Sequence, residues 1–238
     1  VKCADVVLVE SEPQRQFFIV KFGQSDKYKV IYTSADEEVL EEGIEKYNQT
    51  KAATPLPFTV LFRGSLTPEA GLDTILKAAS ILEKNYPQEQ VKFKLFGRGI
   101  YEEYVRKLIS ELNLKTVELN TEKLPWPELI EKMLECSVSL GQFSTNPRLD
   151  RTIPHKAYES MVLKLPYITA RAPGISSVME DGLHCLMVNP ADADDLVAKI
   201  LELKNSPEMR KGLAESACRL FMEKLSPTVM AREITALI

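Results

Sequence analysis

Phe58-Thr-Val-Leu-Phe-Arg-Gly-Ser-Leu-Thr-Pro-Glu-Ala-Gly-Leu-Asp-Thr-Ile-Leu-Lys-Ala-Ala-Ser-Ile-Leu82 passes from a short apolar run, through a glycine-bearing turn, into an apolar pattern of helical period. A run that is apolar at successive positions suits a strand covered on both faces, and the following period suits a helix packed on a sheet. The pairing recurs. Strands are expected at Phe58–Phe62, Val91–Phe96, Thr116–Leu119, Ser137–Leu140, Pro166–Ala170 and Cys185–Val188. Helices are expected near 70–85, 101–113, 125–135, 155–164 and 192–204, with two more from about 207 to 236. This alternation defines an α/β class: a doubly wound parallel sheet with helices on both faces. Such sheets bind ligands outside the carboxyl ends of their strands, so the strand-to-helix loops are where function is sought.

Upstream, Asp5–Glu10 reads as a strand, about 13–22 as a helix and Tyr28–Tyr32 as a second strand, a β-α-β unit with no domain around it. A charged helical segment follows over Asp36–Asn48, and Thr50–Pro57 carries breakers. The expected organisation is a remnant of one domain over 1–35, a linker over 36–57, a ligand-binding domain over 58–225 and a closing helix over 226–238. The opening so close to a strand reads as a piece of a longer protein.

Composition narrows the partners. With 238 residues, 45% of them apolar, the chain can bury a large core. Lys and Arg total 30 against 34 Asp and Glu, and the net charge of -4 gives no reason to expect nucleic acid or an anionic membrane surface. Cys3, Cys136, Cys185 and Cys218 lie far apart without metal-ligand or disulfide spacing, so no metal is expected and a reducing, cytoplasmic compartment fits. No apolar run approaches the ~20 residues of a membrane span. Asn48-Gln-Thr50 matches a glycosylation sequon and is read as chance.

Three loops carry candidate chemistry. Arg63-Gly64-Ser65 leaves the first strand of the larger unit, and Gly97-Arg98-Gly99 leaves the next. Glycines there either permit a turn or admit a ligand to the backbone, and the residues alone leave both readings open. The pattern lacks the third glycine of a dinucleotide fingerprint, so NAD is not inferred. The third loop, 141–154, is long and polar, with Ser144, Thr145, Arg148 and Arg151, and it runs through Pro154 into a helix bearing His155, Lys156 and Glu159. A cation in the first helical turn opposes the helix dipole, unless an anion lies between it and the free amides. A Lys156–Glu159 ion pair, worth about 0.2–0.5 kcal/mol, is the plainer alternative. Pro173-Gly174 makes a tight turn with accessible amides. Trp126 either shelters a base or packs over a helix start, the second being the commoner use.

In this order the segments resemble the donor-binding domain of retaining glycosyltransferases with the two-Rossmann GT-B architecture, the large family four. Ala4–Ser11 is similar to the last strand of the family's acceptor domain. Phe62–Asp73, Leu95–Gly99, Leu124–Leu129, Ile153–Glu159 and Glu180–Val188 are similar to successive landmarks of its donor domain. The resemblance implies a Rossmann-like GT-B C-terminal domain, preceded by a β-α-β remnant of the N-terminal one. It also implies a nucleotide-diphosphate sugar as substrate, no cofactor, and retaining transfer to a hydroxyl.

Carried over residue by residue, Glu159 takes the place that faces the ribose. The place that faces the transferred sugar in the family's paired-glutamate motif falls on Arg151, and the usual basic pair of the first loop falls on Ser65 and Ala70. A later acidic place falls on Ser177. Diphosphate neutralisation is therefore assigned to Arg151 and Lys156 as catalytic cations, with Arg63 and Arg148 behind them. The remaining donor contacts are Gly64, Ser65, Gly97, Arg98, Ser144, Thr145, His155, Glu159, Pro173 and Gly174.

The expected donor is a UDP-hexose or UDP-aminohexose ahead of GDP or ADP sugars, in polysaccharide or glycoconjugate synthesis. The acceptor is expected on the N-terminal domain, largely absent from this sequence, which could also supply peripheral contact with the cytoplasmic face of the membrane. The chain alone is expected to bind donor without turnover. Two rivals stand beside this reading: a nucleotide-sugar epimerase of the same architecture, and an inactive scaffold that keeps the fold.

Overall fold

The structure, a computed structural model, describes residues 3–50 and 56–237. Among these residues a small sheet pairs β1 (Val7–Val9) with β2 (Tyr28–Val30) in parallel, joined by helix α1 (Glu12–Phe22). Helix α1 starts where the sequence supplies a cap. Ser11 Oγ accepts the Gln14 amide, Pro13 occupies the first turn, and Gly23 closes the other end. Helix α2 (Glu37–Thr50) then docks on the larger unit, where Leu40 shares a core with Ile130 and Met133. The first part of the expected linker is therefore a packed helix, and residues 51–55 lie outside the described residues.

The larger sheet has six parallel strands: β3 (Thr59–Arg63), β4 (Lys92–Phe96), β5 (Val117–Asn120), β6 (Val138–Leu140), β7 (Tyr167–Ala170) and β8 (Leu186–Val188). Its helices are α3 (Leu72–Asn85), α4 (Glu102–Glu111), α5 (Trp126–Leu134), α6 (His155–Val162), α7 (Pro173–Ser176), α8 (Ala193–Asn205), α9 (Pro207–Leu220) and α10 (Pro227–Thr235). A π-helical turn, Phe221–Leu225, joins the last two. Strand β3 shows why its sequence is apolar throughout. Val60 and Phe62 enter one core with residues of α3 and α8, whereas Leu61 enters a second core with residues of α5 and α6. All three are fully buried, each such side chain contributing about 1.5–3 kcal/mol relative to exposure.

The strand order is β5-β4-β3-β6-β7-β8. From β3 the chain builds outward to β4 and β5, then returns to add β6, β7 and β8 on the other flank. The order reverses between β3 and β6, so the loops leaving these two strands diverge and open a crevice at the carboxyl edge. Those loops are 64–71 and 141–154, the first and third that the sequence singles out.

Candidate active site

Backbone geometry brings the first two loops together. The Gly64 amide donates to the Phe96 carbonyl and the Leu66 amide to that of Arg98, both at 3.0 Å. A Cβ on Gly97 would run into the carbonyl of Gly64, and one on Gly64, at φ +152°, would stand 2.9 Å from Lys156 Nζ. Glycine is required at position 97 by this close backbone approach and at position 64 by its positive φ. From the other flank, the Phe143 amide donates to the Ala70 carbonyl at 3.0 Å and Ser144 Oγ to the Glu69 carbonyl at 2.8 Å. The 141–154 loop is thereby strapped to the β3 loop.

Two clefts open along this edge and share Ser65. One, of about 460 Å³, is lined by Arg63, Gly64, Ser65, Gly97, Arg98 and Trp126, among others. The second, of about 420 Å³, lies between the small unit and the large sheet, with Glu10 and Thr33 on one wall and Ser65, Arg148, Pro154 and His155 among the residues of the other. A third cleft of about 480 Å³ sits near Ser137 and Pro166, at the amino end of β6 and β7. Position decides against it, because open α/β sheets bind their ligands at the opposite edge.

Helix α6 delivers the charged groups at the junction. Pro154 gives it no side-chain cap, whereas Ser11, Asp192 and Ser206 cap α1, α8 and α9. Glu159 is 1% exposed; its Oε1 accepts from Arg63 Nη1 at 2.8 Å and lies 3.0 Å from His155 Nδ1. Its Oε2 is buried and has no hydrogen-bond partner. A buried acceptor left so costs about 1–3 kcal/mol, more when charged, unless a ligand donates to it. The hydrogen bond with Glu159 raises the pKa of His155, overcoming the opposing effect of burial.

Lys156 is buried beneath the Gly64 turn, with Nζ 3.8 Å from the centroid of the Phe62 ring. Among the described residues no carboxylate reaches it within ion-pair distance. Burial first and the Arg63 charge second lower its pKa to about 7, against the pull of Glu159. The plainer reading of the sequence, a Lys156–Glu159 pair, is thus corrected. Glu159 spends its charge on Arg63 and His155, and Lys156 is left desolvated with no counterion among the described residues.

Several expected contacts fall elsewhere. Arg151 is turned onto the small unit, its guanidinium 4.3 Å from the Phe17 ring centroid and its carbonyl accepting from Ser11 Oγ at 2.6 Å. It lines neither cleft and does not join Lys156. Ser144 spends its hydroxyl on the strap to Glu69, and Thr145 is exposed and lines neither cleft. Pro173 and Gly174 start α7; Gly174 is buried so close to the Thr152 carbonyl that a Cβ there would meet it at 2.5 Å, so this glycine serves packing. Conversely, Trp126 is 42% exposed in the cleft wall with the Arg63 guanidinium 5.0 Å from its ring, rather than packed over a helix start. Glu10, Thr33 and Gln142 also reach the second cleft unforeseen. For Glu10 a signal existed: it follows β1 at that strand's carboxyl end.

A doubly wound sheet with this switch-point crevice defines a Rossmann-like α/β domain, and the sequence pattern of Glycosyl transferases group 1 matches residues 43–219. The chain belongs to that family. An uncharacterized glycosyltransferase of Methanocaldococcus jannaschii is 29% identical over 230 residues, covering 93% of this chain and 61% of that protein. An alpha-D-kanosaminyltransferase of Streptomyces kanamyceticus is 25% identical over 167 residues, covering 70% and 42% respectively. The crystal structure of Anabaena HepE in complex with UDP-glucose matches with a TM-score of 0.80 at 19% identity, over 98% of this chain and 63% of that one. This likeness shows the GT-B fold. The chain spans less than two thirds of each of these three proteins. Members of the family take a nucleotide sugar as substrate without a required cofactor. No described helix is long and apolar enough to cross a membrane.

Proposed function

We propose that the chain binds a nucleotide-diphosphate sugar, a UDP-hexose or UDP-aminohexose, and that the whole protein transfers this sugar to a hydroxyl with retention of configuration. One observation carries the reading. An unpartnered carboxylate oxygen of Glu159, whose other oxygen holds Arg63, and a desolvated Lys156 without counterion under Gly64 lie on one helix turn, directly behind Arg63 and Gly64 in the wall of the first cleft. Ribose hydroxyls supply the donors the first lacks, and a diphosphate supplies the charge the second lacks. The UDP-glucose bound to the Anabaena protein and the aminosugar named in the kanosaminyltransferase both support this donor class.

The base then lies in the cleft of Trp126 and Arg98, the diphosphate against the Gly64–Ser65 turn and the uncapped start of α6, and the sugar in the cleft beyond. Arg148, rather than Arg151, is the loop cation beside the leaving group. As the sugar–phosphate bond breaks, negative charge grows on the diphosphate. Lys156 and the α6 amides are already placed and desolvated to receive it, the form of electrostatic stabilisation that contributes most to such reactions. The acceptor is held mainly by the rest of the protein, on the cytoplasmic side, in polysaccharide or glycoconjugate synthesis.

Thermal shift with a panel of UDP, GDP, ADP, their sugars, UMP and uridine tests the reading. UDP and UDP-sugars should raise the midpoint more than UMP or uridine, because only a diphosphate spans the junction; at 100 times its dissociation constant a ligand adds about 2.7 kcal/mol. A flat response to every diphosphate leaves the inactive scaffold. A longer protein that converts UDP-sugars with no acceptor present is the epimerase instead.

A further inference from the structure

We propose that Glu10, from the small unit, is the carboxylate that recognises the hydroxyls of the transferred sugar. The inference rests on the donor-site reading above and deepens it. The second cleft meets the first at Ser65, so whatever extends beyond the diphosphate enters it. It is polar on both walls, as a ring of hydroxyls requires.

Two carboxylates line this cleft, Glu10 and Glu69. Hydrogen bonds from its own backbone amide and from Thr67 lower the pKa of Glu69, so part of its acceptor capacity is committed locally. Among the described residues the Glu10 carboxylate has only a long 3.4 Å contact from Gln14 Nε2 on its Oε1, while its backbone amide is held by Gln14 Oε1 at 2.7 Å. The side chain is fixed at its root and open at its tip. Partial burial raises its pKa, with Arg148 across the cleft pulling the other way. No carboxylate comes from position 151, since Arg151 is turned onto Phe17. A carboxylate with free lone pairs accepts two sugar hydroxyls, and its place on the small unit ties sugar recognition to the seating of that unit. Ser11, the next residue, is fully buried and donates to the Arg151 carbonyl at 2.6 Å, which fixes the seating.

The test compares UDP with UDP-glucose, UDP-galactose and UDP-N-acetylglucosamine by calorimetry on the natural chain, Glu10→Ala and Glu10→Gln. The natural chain should favour at least one UDP-sugar over UDP. Glu10→Ala should weaken that sugar on the order of tenfold while leaving UDP unchanged, with Glu10→Gln between. A purely structural Glu10 would instead weaken UDP and UDP-sugar together and lower the thermal midpoint. That result, an unchanged UDP-sugar affinity in both variants, or a natural chain that binds UDP and all three sugars equally, overturns the proposal. Failure of the natural chain to bind UDP at all overturns the donor site itself, a separate outcome.

Discussion

Lys156→Met should raise the thermal midpoint of the ligand-free protein and weaken UDP-glucose binding on the order of ten- to a hundredfold. The two effects have one cause. Lys156 is 8% exposed, stands over the Phe62 ring and has no counterion among the described residues. Methionine keeps the length and apolar stem of the side chain and removes the ammonium. Replacing buried charge by well-packed apolar side chains stabilises by about 1–4 kcal/mol where that burial was poorly compensated.

A pH dependence follows from the same residue. Its folded pKa, about 7, lies below the usual 10.5, so between these values the unfolded chain binds more protons than the folded one. Stability contributed by this group therefore rises with pH across that window, and Lys156→Met should remove that part of the slope. Urea unfolding at several pH values reads both quantities. A variant that is less stable and binds UDP-glucose as before would mean that Lys156 serves packing.

Glu159→Ala should cost about 3 kcal/mol of stability, the low end for breaking a buried pair, because the Arg63 side chain keeps 24% exposure and recovers some hydration. Glu159→Gln should destabilise less, since an amide oxygen still accepts from Arg63. On nucleotide binding the two should be more alike, because both remove the charged oxygen offered to the ribose. Denaturant unfolding beside UDP calorimetry separates the roles. Affinity that simply tracks stability through the pair would mean that Glu159 only anchors Arg63, and loss of less than about 0.5 kcal/mol in the alanine variant would place it among ordinary surface substitutions.

The fold was legible because its signals are local. Apolar runs such as Val60–Phe62 and helical periods such as Leu72–Leu82 are written in neighbouring residues, and their alternation admits few architectures. The loop positions of Gly64 and Gly97, and the place of Glu159 on the helix that leaves the third loop, follow from that alternation. Side-chain direction does not. Arg151 points away because Phe17, from a distant segment, offers it a ring, and no spacing within the 141–154 loop reports this. Pro173-Gly174 read as a turn open to ligands, but the packing of the Thr152 carbonyl against Gly174 closes it. Trp126 read from sequence more readily as packed over a helix start, and its 42% exposure in the cleft wall overturns that reading. Glu10 went unnoticed because its cleft is lined by residues of two units that are distant in sequence.

Everything turns on whether a diphosphate draws the charge back onto the Lys156 amine buried beneath Gly64. UDP-glucose titrated into the chain at about pH 8, in two buffers of different ionisation enthalpy, measures the protons exchanged on binding. Most of a proton should be taken up per molecule bound, as Lys156 regains its charge against the phosphates, and Lys156→Met should show almost none. Binding by the natural chain with no proton uptake would contradict the account.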